Sequence, residues 1–313
     1  MNSSPRRVVT LMGPTATGKT DLALALAKHL DVALISVDSA MVYRGMDVGT
    51  AKPTKTIRDE IPHALIDVRE PEESFSVQEF CALADQAVHQ AFERRRLPIL
   101  VGGSMMYFRA FREGLADLPG ADARIRADIR ALAEAEGVFA VFEELKRIDY
   151  ESAMRISPSN LKRMERAIEV YRLTGKTIGA LWKEKATPPA PMRLDCELME
   201  FVVPEPPRPE LHERIAQRLQ GMFNAGFMEE MQTLRKRPGL TRNHLSMRTV
   251  GYREAWAHLD EADDQSDTAP LRERILVATR QLARKQLTWL RKWSSLRLNE
   301  AASVEVMIDS LKR

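Results

Sequence analysis

Near-continuous apolar runs of strand length punctuate the first third of the chain: Val8-Val9-Thr10-Leu11-Met12, Val32-Ala33-Leu34-Ile35-Ser36-Val37, Ala64-Leu65-Ile66-Asp67-Val68 and Leu97-Pro98-Ile99-Leu100-Val101. Such runs, partly β-branched, are the pattern of strands buried in a parallel sheet. Helix-forming stretches lie between them, Asp21 to Ala27 and Val77 to Arg96. Strands alternating with helices predict a doubly wound α/β fold.

From Leu118-Pro119-Gly120 the pattern changes. Ala121 to Lys185 is charged and helix-forming, with Ile125, Ile129, Leu132, Val138 and Phe142 at helical spacing and no strand candidate. This predicts a helical insertion, closed by the proline-rich connector Thr187-Pro188-Pro189-Ala190-Pro191, after which Leu194 to Val203 reads as a returning strand. The expected division is a core of residues 1–117 and 186–313, with residues 118–185 as the insertion. Beyond Pro204-Glu205-Pro206-Pro207 the chain reads as helices, the first carrying Arg214 and Arg218 one turn apart, the second starting near Gly226. An acidic loop, Asp260-Glu261-Ala262-Asp263-Asp264, precedes a long final helix from near Pro270. Leu276, Ala283, Leu287 and Leu290 form its apolar stripe, while Arg280, Arg284, Thr288 and Arg291 share another face beside Lys285, Trp289, Lys292 and Trp293.

Composition narrows the classes. With 313 residues, 44% of them hydrophobic and 29% charged, the chain can bury a substantial core. No apolar stretch reaches the roughly 20 residues that cross a bilayer, and Met1 to Arg7 holds no signal-peptide core, so no membrane partner and a cytoplasmic location are expected. Two cysteines, Cys81 and Cys196, are too few for a disulfide framework or a Cys-rich zinc site. A net charge of +3 does not by itself announce nucleic acid.

The candidate chemistry starts after the first strand. Gly13-Pro14-Thr15-Ala16-Thr17-Gly18-Lys19-Thr20 has the spacing G-x-x-x-x-G-K-S/T between a strand and a helix, where backbone N–H groups and the helix N-terminus cradle a polyphosphate. Lys19 would reach the distal phosphates and Thr20 would put its hydroxyl on Mg²⁺. Asp38 falls at the carboxyl end of the second strand, on the edge where open α/β sheets bind ligands. From spacing alone it could accept a proton, cap a turn or hold Mg²⁺ through water. Ser39 to Pro53 reads as a functional loop, and Gly102-Gly103-Ser104 allows a second close backbone approach or a plain turn. The arginines and indoles of the final helix suit a phosphodiester backbone with stackable bases, but taken alone they fit better an amphipathic helix with solvated arginines and core tryptophans.

Taken together, the phosphate loop, Ile35-Ser36-Val37-Asp38-Ser39, Tyr43 to Pro53, Gly102 to Tyr107, Arg248-Thr249-Val250-Gly251-Tyr252-Arg253 and Thr279 to Leu290 resemble the bacterial tRNA dimethylallyltransferases. The resemblance covers nearly the whole chain. Ser104 stands where many members carry threonine, and Pro158-Ser159-Asn160-Leu161 is a loose version of the family's Pro-Asn-Asp turn. A P-loop NTPase-like core with a parallel sheet flanked by helices, plus a helical insertion domain, is the implied fold. The implied reaction moves a dimethylallyl group from dimethylallyl diphosphate to the N6 amine of the adenosine 3′-adjacent to the anticodon, at position 37 of tRNA. Lys19, Arg218 and Asp38 would be catalytic, Asp38 taking the proton. The donor diphosphate would lie on Gly13 to Thr20 and Arg218, with magnesium on Thr20. The anticodon stem-loop would meet Asp38, Ser39, Ala40, Met41, Ser104, Arg126, Lys162, Arg163, Met164, Glu165 and Arg166. It would also meet Arg248 to Arg253 together with Arg284, Lys285, Gln286, Leu287, Thr288, Trp289, Leu290 and Arg291. A monomer is expected. The competing readings are a P-loop nucleotide or small-molecule kinase, a prenyltransferase acting on free adenine nucleotides, and a non-catalytic RNA-binding NTPase.

Overall fold

The computed structural model describes residues 5–184, 187–261, 267–293, 296–297 and 304–312. The chain forms two compact units, Met1–Arg112 with Ala190–Arg313, and Glu113–Pro189.

The first unit is built on a six-stranded sheet. Its strands are β1 (Arg7–Met12), β2 (Val32–Val37), β3 (His63–Ala64), β4 (Leu97–Gly102), β5 (Glu197–Val202) and β6 (Leu296–Arg297). They lie in the order β3-β2-β4-β1-β5-β6, and every neighbouring pair is parallel. Val9, Leu11, Leu34, Ile99 and Phe201 are almost wholly buried, packed with Leu26 of the helix Lys19–Ala27 and Met307 of the helix Val304–Lys312. Each such side chain contributes roughly 1.5–3 kcal/mol of transfer free energy. The helix Val77–Glu93 begins in a reciprocal capping box of Ser76 and Glu79, and it ends short of the expected Arg96 because Arg95 takes a positive φ of 56°.

One expected strand is shorter than its composition suggests. Ala64 to Val68 leaves the sheet after Ala64, because Leu65 and Asp67 adopt left-handed backbone at φ 62° and 57°. That turn aims the Asp67 carboxylate at Lys52 (2.7 Å) and Arg58 (2.6 Å). Elements not anticipated include β6 and the helices Lys55–Glu60, Met105–Glu113 and Val304–Lys312. Of the acidic run, Asp260 and Glu261 close the helix Tyr252–Glu261, and Ala262, Asp263 and Asp264 lie outside the described residues.

The register decides where chemistry can occur. Gly102 is level with Met12 on one side and with Val37 on the other, while Met12 is level with Val202. The phosphate loop, Asp38 and Gly103-Ser104 therefore leave the sheet at one edge.

The second unit is helical throughout, with Ala123–Glu136, Val138–Ile148, Tyr150–Arg155, Leu161–Thr174 and Ile178–Lys183 around a core of Ile129, Val141, Leu145, Met164, Ile168 and Val170. It starts at Glu113 and ends at Pro189, where the sequence pattern suggested 118 and 185. The reason is a neck: the Thr187 N–H donates to the Leu115 carbonyl (3.1 Å), so the connector belongs to the unit it closes.

A Cβ on Gly102 would stand 2.0 Å from the backbone oxygen of Val37. No rotamer change relieves a clash with backbone, so Gly102→Ala should cost about 3 kcal/mol of stability. Urea unfolding followed by circular dichroism checks this; an unshifted midpoint would show that the two strand ends are free to part.

Candidate active site

The phosphate loop owes its shape to two left-handed residues, Ala16 at φ 62° and Gly18 at φ 83°. Thr17 Oγ1 donates to the Pro14 carbonyl (2.9 Å), as does Lys19 Nζ (2.9 Å), which curls the loop over the start of its helix. No side chain caps that helix at Gly18, so its first amides remain available to an anion. The protein around Lys19 desolvates its ammonium. That, with the nearby Arg218 charge, lowers its pKa to about 8 even though Asp38 pulls the other way.

Asp38 caps the turn after β2, its Oδ1 accepting the Ala40 N–H (2.8 Å) and the Met41 N–H (3.3 Å). Its second oxygen carries no hydrogen bond among the described residues. The end of β4 is tied to the same turn, since Ser104 Oγ accepts the Ser39 N–H (3.1 Å) and the Ser104 N–H donates to the Val37 carbonyl (3.1 Å). Gln286, from the helix Ala269–Leu290, joins the third strand end. Its Oε1 accepts the Thr15 N–H (3.0 Å) and its Nε2 donates to the Gly103 carbonyl (2.9 Å).

Arg218 enters from the helix Arg208–Asn224 and donates to the Thr50 carbonyl (3.1 Å). Burial lowers its guanidinium pKa, opposed by the charges of Asp38 and Asp21. Thr50 belongs to a loop anchored by the buried Lys52, which donates to the Tyr43 carbonyl (2.9 Å), Asp47 (2.5 Å) and Asp67 (2.7 Å). Burial would raise the Asp67 pKa, but the hydrogen bonds and charges of Lys52 and Arg58 outweigh it and hold it below the usual carboxylate range.

These groups share a cavity of about 660 Å³. Thr15, Lys19, Thr20, Asp38 and Arg218 line it together with Ser39, Ala40, Met41 and Ser104, and Arg248 to Tyr252, Lys285, Gln286 and Trp289 complete the polar wall. Ile215, Leu219, Met222, Phe227, Ile275 and Leu282 supply an apolar part. Among the described residues no group of three His, Cys, Asp or Glu could hold a metal. Thr20, which lines the cavity, carries a hydroxyl of the kind that serves as a single protein ligand to Mg²⁺ beside phosphates.

Other residues expected at the RNA are engaged within the protein or lie elsewhere. Tyr252 lines the cavity but is fully buried, and its hydroxyl donates to Glu230 (2.5 Å). Leu290 is buried and Leu287 packs with Leu211 and Ile215, because the final helix needs an apolar face. Arg284, Thr288 and Arg291 are exposed beyond the cavity wall, and Arg253 pairs with Glu254. Trp293 is core, its Nε1 donating to Glu200 (3.0 Å) beneath the Arg112 guanidinium. Met164 and Glu165 are buried as well, since they face the insertion's own interior. Arg126 and Arg166 both pair with Glu169, at 2.7 Å and 2.6 Å, which leaves Lys162 and Arg163 as that segment's exposed cations. Sequence reasoning missed Glu230 and Lys52 as organisers of the loop. Lys52 falls inside the Tyr43 to Pro53 block, which did not reveal its anchoring role, and no periodicity or motif marks Glu230.

Comparison with known proteins gives the same picture at family level. The model of the IPP transferase family matches residues 41–293. The chain is 46% identical over 296 residues to the tRNA dimethylallyltransferase of Chromohalobacter salexigens, covering 95% of this chain and 93% of that protein. It is also 46% identical over 285 residues to the tRNA dimethylallyltransferase of Alkalilimnicola ehrlichii, covering 91% and 87%. Among solved structures, the tRNA isopentenylpyrophosphate transferase of Bacillus halodurans superposes with a TM-score of 0.66 at 32% identity, over 98% of this chain and 96% of that one. A eukaryotic dimethylallyltransferase acting on tRNA shares the fold, with a TM-score of 0.81 at 21% identity over 97% of this chain and 78% of its own. A phosphate loop beside a carboxylate at the edge of a parallel sheet, together with relatives of this similarity over this length, leads to one statement: the chain belongs to the IPP transferase family.

Proposed function

We propose that this protein transfers a dimethylallyl group from dimethylallyl diphosphate to the N6 amine of the adenosine 3′-adjacent to the anticodon of tRNA, position 37, releasing diphosphate. The observation that carries the reading is the single cavity that joins Lys19, Thr20 and Arg218 to the Asp38 carboxylate. The kinase and free-nucleotide readings draw no support from the relatives described above.

In the proposed reaction the allylic C–O bond breaks and its electron pair goes to the diphosphate oxygen. The N6 lone pair forms the new C–N bond, and the N6 proton goes to Asp38. Loop amides, Lys19 and Arg218 face the charge that develops on the leaving group, where desolvation strengthens each interaction. Bound magnesium on Thr20 would supply further neutralisation of that charge. The adenine amine is a weak nucleophile because its lone pair is delocalised into the ring, so a proton acceptor matters. Asp38 can serve because one carboxylate oxygen suffices for its turn. The target base must leave its stack to reach the cavity, and Arg248, Lys285 and Trp289 on the wall suit a phosphate and an unstacked ring. The apolar side chains suit the five-carbon tail.

The direct test is mass analysis of tRNA after incubation with dimethylallyl diphosphate, Mg²⁺ and the protein. One added dimethylallyl group on the nucleoside 3′ of the anticodon is expected, and unmodified tRNA would overturn the reading.

Asp38→Asn keeps the acceptor that caps the turn and removes the proton acceptor. Its single-turnover rate should fall by about a hundred- to ten-thousand-fold with donor affinity nearly unchanged. A defect accompanied by weakened donor binding and rescued by high Mg²⁺ would instead assign Asp38 to organising the metal.

The lowered Lys19 pKa carries a pH dependence. An anion binds the charged ammonium, so donor affinity should be full below pH about 8 and fall above it, by at most about tenfold per pH unit. Titration calorimetry with inorganic diphosphate across this range measures it. Lys19→Met should bind more weakly and without that fall; an identical fall in the variant would assign it to another group.

A further inference from the structure

Glu230 sits in the first turn of the helix Phe227–Arg235, half-buried, and its carboxylate is turned onto a neighbouring loop. It accepts the backbone N–H groups of Asp47 (2.7 Å), Val48 (2.7 Å) and Gly49 (3.1 Å), and the Tyr252 hydroxyl (2.5 Å). One carboxylate thus gathers three successive amides of a single turn, an arrangement neutral side chains reproduce poorly. Burial and the Glu230 charge push the Tyr252 phenol well above its ordinary pKa, which keeps that hydroxyl a donor.

The turn is also shaped from behind. A Cβ on Gly49 would lie 2.5 Å from the Phe227 ring and 2.7 Å from the Tyr252 ring, and those two rings meet edge to face at 5.5 Å. Only a glycine lets the backbone press against them. The next residue, Thr50, offers its carbonyl to Arg218, and its own hydroxyl donates to the Met46 carbonyl (2.7 Å). Gly49, Thr50 and Arg218 all face the cavity.

A short path therefore runs from the Glu230 carboxylate through the turn to the cation at the cavity wall. We infer that Glu230 and Tyr252 are positioning residues for the diphosphate of the donor, holding the Asp47 to Thr50 turn so that the Thr50 carbonyl fixes the Arg218 guanidinium toward it. Neither touches the donor. The inference rests on the donor reading above. Its chemistry is that of pre-organisation: a buried arginine on a long flexible stem loses rotamer freedom when it binds an anion, and a fixed carbonyl removes part of that cost beforehand.

The test is a double-mutant cycle on inorganic diphosphate binding by the full chain, measured by calorimetry for the wild type, Arg218→Ala, Glu230→Gln, Tyr252→Phe and the two double variants. Glu230→Gln should weaken diphosphate binding about tenfold and Tyr252→Phe about threefold, with donor KM rising while kcat changes little. In the Arg218→Ala background neither substitution should weaken binding further. Losses that add in that background, or undiminished affinity in Glu230→Gln, would overturn the inference. A general loosening of the fold would produce additive losses and would lower kcat together with affinity. If Glu230→Gln does not fold, Tyr252→Phe decides by the same criteria, because it removes only a hydroxyl and keeps the ring against Phe227. A wild-type protein that binds no diphosphate would overturn the donor reading instead.

Discussion

Where the end of β4 passes β2, Gly102 leaves no space between itself and the Val37 carbonyl, and the two strands finish level. Everything at the sheet edge depends on this register. Asp38 follows Val37 directly, Ser104 reaches back to the Ser39 amide, and Gly103 offers the carbonyl that Gln286 grips while it holds Thr15. A side chain at position 102 would separate the strands, and the carboxylate and the phosphate loop would lose their common frame. The chemistry is thus positioned by backbone packing before any charged group takes part, as preorganised sites built on rigid elements require.

The electrostatics of the cavity follow from that frame. Burial lowers the pKa of both Lys19 and Arg218, and the Arg218 charge lowers that of Lys19 further. Asp38 offsets part of this, with Asp21 adding to it at Arg218. Two partly desolvated cations on one cavity wall favour negative charge, and a diphosphate would relieve their repulsion. In the proposed reaction the same cations would face the charge released when the allylic bond breaks. Binding and leaving-group stabilisation are therefore drawn from one set of groups.

The parts legible in the sequence are those encoded locally. The phosphate loop announces itself because its glycines and lysine fall within eight consecutive positions between strand and helix, and Asp38 because it ends a continuous apolar run. Family resemblance supplied Arg218, which helical spacing alone would leave on a solvated face. What escaped was set by distant partners. Gln286 lies 271 positions from Thr15 and Glu230 lies 181 from Gly49, so no window of sequence contains both ends of either contact. Asp67 shows the converse error: an apolar run reads as strand, yet the demand of Lys52 and Arg58 for a carboxylate bends the backbone out of the sheet.

The helical insertion shows how charge that looks functional in sequence divides once a helix packs. Lys162-Arg163-Met164-Glu165-Arg166 reads as a basic cluster, but one turn of helix turns Met164 and Glu165 inward. Arg166 then joins Arg126 on Glu169, whose side chain is fully buried. Burial would raise the Glu169 pKa, and hydrogen bonds from Arg126 and Arg166, with the Asp122 amide, outweigh it and lower it. Glu165 is likewise engaged by Arg130 at 2.8 Å. Removing one partner of such a group leaves a buried charge uncompensated, which is far more costly than losing an exposed pair. Arg126 and Arg130 therefore fix how the helices Ala123–Glu136 and Leu161–Thr174 meet, while Arg166, on the same helix as Glu169, ties it to the Pro119 carbonyl. Lys162 and Arg163, exposed and without an ion pair among the described residues, are the positions of that segment at which a phosphate would displace only water.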